Sequence, residues 1–75
     1  MRRFTDSAGI TWDVVIGRES WGALLALFVT VRNGTAEVRQ VPLRADSQDA
    51  AMQELAGLDD AGLQALLDRS SLKGE

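Results

Sequence analysis

The sequence predicts an α+β fold: an antiparallel β-meander of three to four strands, followed by two short C-terminal helices packed on one face. Three observations predict it. Asn33-Gly34 sits between two runs rich in β-branched residues, the pattern of a hairpin. Near Ala45 the apolar period changes from that of a strand to that of a helix. The charge changes at the same place. Residues 1–44 carry six arginines against four carboxylates, net +2, and residues 45–75 carry one arginine and one lysine against seven carboxylates, net −5. Strands followed by helices imply a segregated two-layer domain. Residues 1–75 thus read as a single small α+β domain, with a strand half at 1–44, a helical hairpin at 45–70 and a tail at 71–75.

The first strand candidate is Arg2–Thr5. It can pair with Ile10–Ile16 through Asp6-Ser7-Ala8-Gly9, which has the Asp and Gly that a tight turn prefers. In the second run Ile10, Trp12, Val14 and Ile16 share one face, and Thr11, Asp13 and Val15 share the other. Ser20–Phe28 reads two ways. Ser20 could cap a helix carrying Trp21, Ala23–Leu25 and Leu27, but Gly22 and the Val-Thr-Val that follows favour a strand beginning near Ala23.

Asn-Gly is the preferred centre of a two-residue type I′ turn, because both positions need positive φ. That turn sets Arg32 opposite Thr35, Val31 opposite Ala36, Thr30 opposite Glu37, Val29 opposite Val38, Phe28 opposite Arg39 and Leu27 opposite Gln40. One hairpin face then holds Leu27, Val29, Val31, Ala36 and Val38 and reads as the core face. The other holds Phe28, Thr30, Glu37 and Arg39, with Arg39 placed to lie over the Phe28 ring in an exposed cation–π contact. Pro42 cannot donate to a ladder, so the fourth strand should end near it or lie at an edge.

Asp46 or Ser47 is the candidate N-cap of the first helix, and Asp49 suits the helix dipole in the first turn. Ala51, Met52, Leu55 and Ala56 form its apolar stripe, and Gly57 is a natural stop. The second helix starts at Asp59, with Leu58 and Leu63 spaced as a hydrophobic staple and Leu63, Leu66, Leu67 and Ser70 along one face. Helices this short are unstable alone in water, so their stripes must pack on the sheet, on each other or on a second subunit. Ser70–Glu75 reads as a frayed tail.

Size and inventory narrow the function. A 75-residue chain buries only about 60% of its unfolded surface, so something should supplement its core. With no cysteine and no histidine, disulfides and the usual zinc sites are excluded, leaving oligomerisation. A homodimer or a protein partner is therefore expected, with no metal and no cofactor. The acidic residues lack calcium-loop spacing, and no Gly-rich phosphate motif occurs. The longest apolar run, Ala23–Val29, is far shorter than a membrane span, and the N-terminus has no signal-peptide core. A cytoplasmic protein with no membrane association is the resulting expectation.

An enzyme is not expected. Without His, Cys or Tyr no nucleophile–histidine pair can be built, and the single lysine, Lys73, falls in the tail. Asp59-Asp60 point about 100° apart on a helix and read as a cap and a first-turn charge rather than an acid/base pair. The most site-like segment is Gly17-Arg18-Glu19-Ser20-Trp21-Gly22, where Arg18 can fork onto an anion and Trp21 can anchor an interface. Its ordinary reading is a strand connection with solvated charges. Arg18, Trp21, Phe28 and Arg39 are the candidate interaction residues, and no catalytic residue is assigned.

Two uses follow. The first is a small non-catalytic interaction module that self-associates. A basic sheet face against an acidic helical face would make rings or filaments, whereas one apolar patch meeting itself makes a two-fold dimer. The second, ranked below it, is a nucleic-acid-binding regulator. It would use Arg3, Arg18, Arg32, Arg39 and Arg44 with Trp12, Trp21 or Phe28 as stacking residues. The isoelectric point of about 4.7 opposes it, since nucleic-acid binders are usually basic.

Overall fold

A computed structural model describes residues 2–19, 22–32 and 34–72, with the backbone alone of Arg32. Five strands and two helices follow in order: β1 (Arg2–Thr5), β2 (Thr11–Arg18), β3 (Leu24–Arg32), β4 (Thr35–Pro42), α1 (Gln48–Ala56), α2 (Asp60–Arg69) and β5 (Ser71–Leu72). The strands form one antiparallel sheet in the order β1-β2-β3-β4-β5, a meander with the helices on one side.

The hairpin register is the one the turn demands, from Arg32 opposite Thr35 to Leu27 opposite Gln40. Asn33 lies outside the described residues, but Gly34 has φ +77°, the left-handed conformation a type I′ turn needs. The Asp6–Gly9 turn is closed by the Gly9 amide donating to the Asp6 carbonyl at 3.0 Å. The side chain of Asp6 does more than the turn requires. Its Oδ1 accepts from the amides of Ala8 and Ile10, and its Oδ2 accepts from Trp12 Nε1 at 2.8 Å. A buried indole thereby keeps its one donor satisfied.

Ser47 caps α1 and Asp59 caps α2, each accepting from an amide three residues on. Gly57 ends α1 by donating to the Gln53 carbonyl, with an ordinary φ of −80°. Arg2 Nη1 reaches the Leu55 carbonyl at 2.8 Å, placing a cation at the end of α1 where the helix dipole favours one. Gln64 ties α2 to the first turn: its Oε1 accepts from the Ser7 amide and its Nε2 donates to Asp68.

The tail expectation is corrected at Ser70–Leu72. Ser70 is buried as the C-cap of α2, and Ser71–Leu72 add a fifth strand to β4 opposite Gln40 and Arg39. Arg39 drives this. Its Nε donates to Ser70 Oγ and its Nη2 to the Ser70 carbonyl, both at 2.9 Å, while Ser70 Oγ donates to the Leu67 carbonyl. One guanidinium fork thus pins the chain where it leaves α2.

The parity of the sheet is the larger correction. The helices cover the face of Phe28, not the face of the hairpin valines. Phe4, Trp12, Val14, Ala26, Phe28 and Val41 form the sheet side of the core, and Leu55, Leu63, Leu66 and Leu67 the helix side. Phe28 is fully buried, with the rings of Phe4 and Trp12 edge-on to it at 6.4 Å. The cause is cross-strand register: β2 pairs with β3 so that Val14 faces Phe28, and β1 pairs with β2 so that Phe4 faces Trp12. Three aromatic rings therefore share one face, and rings bury far more apolar area than valines. Thr30 on that face is not stranded, since its hydroxyl donates to the Thr11 carbonyl at 2.8 Å.

Candidate functional site

The consequence of this parity is a sheet face that neither helix covers. Alternation along the strands places three registered rows on it: Arg3, Asp13, Val29 and Val38; Val15, Leu27, Gln40 and Ser71; and Gly17, Leu25 and Pro42. Val31 and Ala36 extend it toward the hairpin turn. Every core contact of the two helices is made on the opposite face. Val31 is 67% exposed, and Val15, Leu27, Val29 and Val38 are half-buried among their neighbours. Leu25, under Pro42 and Gly17, is the buried member.

Why the sequence builds such a face is visible in β3. Leu24, Ala26, Phe28 and Thr30 point at the helices, and Leu25, Leu27, Val29 and Val31 point away. An antiparallel strand with one solvated face normally alternates apolar with polar residues. β3 is apolar on both sides, the pattern of a strand covered twice. Gly17 contributes to the close packing of the face: a Cβ there would meet Leu27 Cδ1 at 2.7 Å.

The central strands of this face carry one charge, Asp13, and it is answered by Arg3 Nε at 3.3 Å. The polar group at its middle is Gln40. Its Oε1 is sealed from water and finds no donor among the described residues, a position that costs about 1–3 kcal/mol unless a partner is supplied.

Of the sequence-predicted interaction residues, Phe28 and Arg39 are cross-strand neighbours on β3 and β4. Arg18 is exposed at the end of β2, and Trp21 lies outside the described residues. Phe28 is a core residue, so its expected role as a surface contact is corrected. Arg39 is half-buried on the helix-covered face; its guanidinium engages Ser70, with Glu37 at 3.9 Å, rather than offering an exposed contact over Phe28. Two of the stacking residues suggested for nucleic acid, Trp12 and Phe28, meet edge-on in the core and are closed off from solvent. Arg3 is held by Asp13 and Arg39 by Ser70.

A second concavity lies between α1 and β2. Arg2, Val14, Val15, Ile16, Gln48, Met52, Leu55 and Ala56 line an open groove of about 380 Å³. It exists because α1 buries only Ala51 and Leu55 of its four-residue stripe, leaving Met52 56% exposed and Ala56 at the surface. Its lining contains one titratable group, Arg2, already committed to Leu55.

The carboxyl of Asp6 is displaced from its ordinary titration range. Burial opposes its charge, but the hydrogen bonds from Trp12 and from the amides of Ile10, Ala8 and Gly9 outweigh that and hold its carboxyl below the ordinary 3.8. Asp6 also lines an open concavity of about 310 Å³ with Trp12, Glu37, Arg39, Gln64 and Asp68.

Sequence reasoning had the hairpin register in hand, read the valine face as core-like and left open which sheet face the helices cover. The apolar content of β3 on both sides was the available signal. Among the described residues, no helix is long and apolar enough to cross a membrane. No protein-family model matches the chain, and no curated protein or solved structure matches it significantly.

Proposed function

We propose that this protein is a small non-catalytic interaction module that acts by self-association, at work in the cytoplasm. The observation that carries the reading is the uncovered face of β2, β3 and β4. A chain of this size can ill spare apolar side chains for water, yet Leu27, Val29, Val31 and Val38 all sit on the side without helices. Contiguous apolar surface of this kind marks binding sites rather than solvent boundary. The absence of histidine, cysteine and tyrosine from the sequence supports a binding role over a chemical one.

Sedimentation velocity over a concentration series from about 1 to 100 μM, a span that brackets ordinary homodimer affinities, tests this. A concentration-dependent shift from one copy to a defined oligomer is expected. A single-copy species throughout, with no partner recovered by affinity capture, would remove the reading.

A further inference from the structure

We propose that the uncovered sheet face is closed by a second copy of the same chain, sheet on sheet about a two-fold axis beside Leu27 and Val29. This rests on the self-association reading and assigns it a surface. The pair is a four-layer assembly, helices outside and two sheets inside, and β3 is covered on both sides as its residues demand.

Area, charge and shape favour this occupant. The broad side of the molecule measures 34 × 27 Å, which has room for the roughly 800 Å² per partner of a standard interface. The shortest dimension, 20 Å, is that of one sheet and one helix layer, so the face is not hidden beneath a third layer. A two-fold contact sets a patch against itself and fails where like charges meet. Here the middle of the patch is Val15, Leu27, Val29 and Val38, uncharged, and the neighbouring carboxylate of Asp13 is neutralised by its own Arg3. The acidic helical half stays on the outside of both copies, where its net negative charge is far from its duplicate.

The test uses distances, because face-to-face and helix-to-helix dimers separate the same label differently. The chain has no cysteine, so Ala65→Cys on the exposed side of α2 gives one nitroxide site per copy. With sheets about 10 Å apart the two labels sit on opposite outer surfaces, roughly 40 Å from each other. A label at Val31→Cys, at the edge of the face, gives a separation of about 20 Å or less in the same assembly. Val29→Lys places two like charges beside the axis and should weaken association by about a hundredfold or more. Met52→Lys, in the α1 groove, should leave association unchanged. Long Ala65 and short Val31 distances together establish the assembly. A dimer with the Ala65 labels closer than the Val31 labels overturns this inference while leaving self-association intact. An open-ended filament overturns the two-fold. Single copies at every concentration overturn both readings. The distances decide even if the lysine variant fails to fold.

Discussion

Replacing Phe28 by alanine tests the parity of the sheet, on which the assignment of the open face depends. Phe28 is fully buried, and two rings meet it edge-on. Removing a buried phenylalanine costs about 3–5 kcal/mol, the spread depending on how far the site collapses. Collapse is limited here, because Phe4 and Trp12 are themselves fixed by the register of β1 and β2 and by the Trp12–Asp6 hydrogen bond. The upper part of that range is therefore expected. A domain of this length holds roughly 4–11 kcal/mol in total, so Phe28→Ala removes a large share of it. The melting temperature should fall by roughly 15–30 °C. Urea unfolding followed by far-UV circular dichroism, at one fixed protein concentration, measures the loss. Met52→Gln, on the exposed side of α1, should stay within about 0.5 kcal/mol of the parent. If Phe28→Ala costs under about 1 kcal/mol and Val29→Ala costs about 3, the valines are the core, and the reasoning about the open face collapses with the parity.

Other perturbations probe single contacts. Arg39→Ala should cost about 1–3 kcal/mol by stranding Ser70 and releasing β5; Arg39→Lys should not restore it, since an ammonium lacks the fork, and urea midpoints of the three proteins decide. Gly17→Ala forces a Cβ to within 2.7 Å of Leu27 Cδ1. Because that contact is the end of a flexible side chain, a loss of about 1 kcal/mol is expected, the low end for overpacking, and an unchanged midpoint would show that Leu27 moves freely. Asp6 has its carboxyl held below 3.8 in the folded chain, so its contribution is complete above that value and is lost as pH falls through the lowered one. Stability measured from pH 2 to 5 should therefore rise less steeply in Asp6→Asn than in the parent; parallel curves would deny Asp6 that role.

How much of this was legible in the sequence varies by element. The hairpin register could be read because a two-residue turn fixes pairing by geometry alone, and Gly34 has the φ that turn requires. Helix starts were legible for a similar reason: Ser47 and Asp59 act on amides only three residues away. What was not legible depended on contacts distant in sequence. The covered face is decided by Val14 meeting Phe28 and Phe4 meeting Trp12, and no local signal sets those pairs. The hairpin alone offers four apolar aliphatics and an alanine on one side and a single ring on the other. Counted locally, the aliphatics win; counted over four strands, the rings win. The fifth strand was hidden likewise, because Ser71–Leu72 have little strand character of their own and are placed by Arg39, more than thirty residues earlier.

The same distant pairing explains why the two helices leave one apolar sheet face to itself. Helices of 9 and 10 residues are only about 14–15 Å long. Their buried side chains, two on α1 and three on α2, are spent against the aromatic face. No described helix remains to lie over Leu27 and Val29. Turning the helices to the other face would expose Phe4, Trp12 and Phe28 instead, which carry more apolar area. The chain therefore settles on the arrangement that hides its rings and leaves its aliphatics out. The uncovered face is the residue of that choice: broad, central and nearly free of charge, it is the surface on which a partner gains most by excluding water.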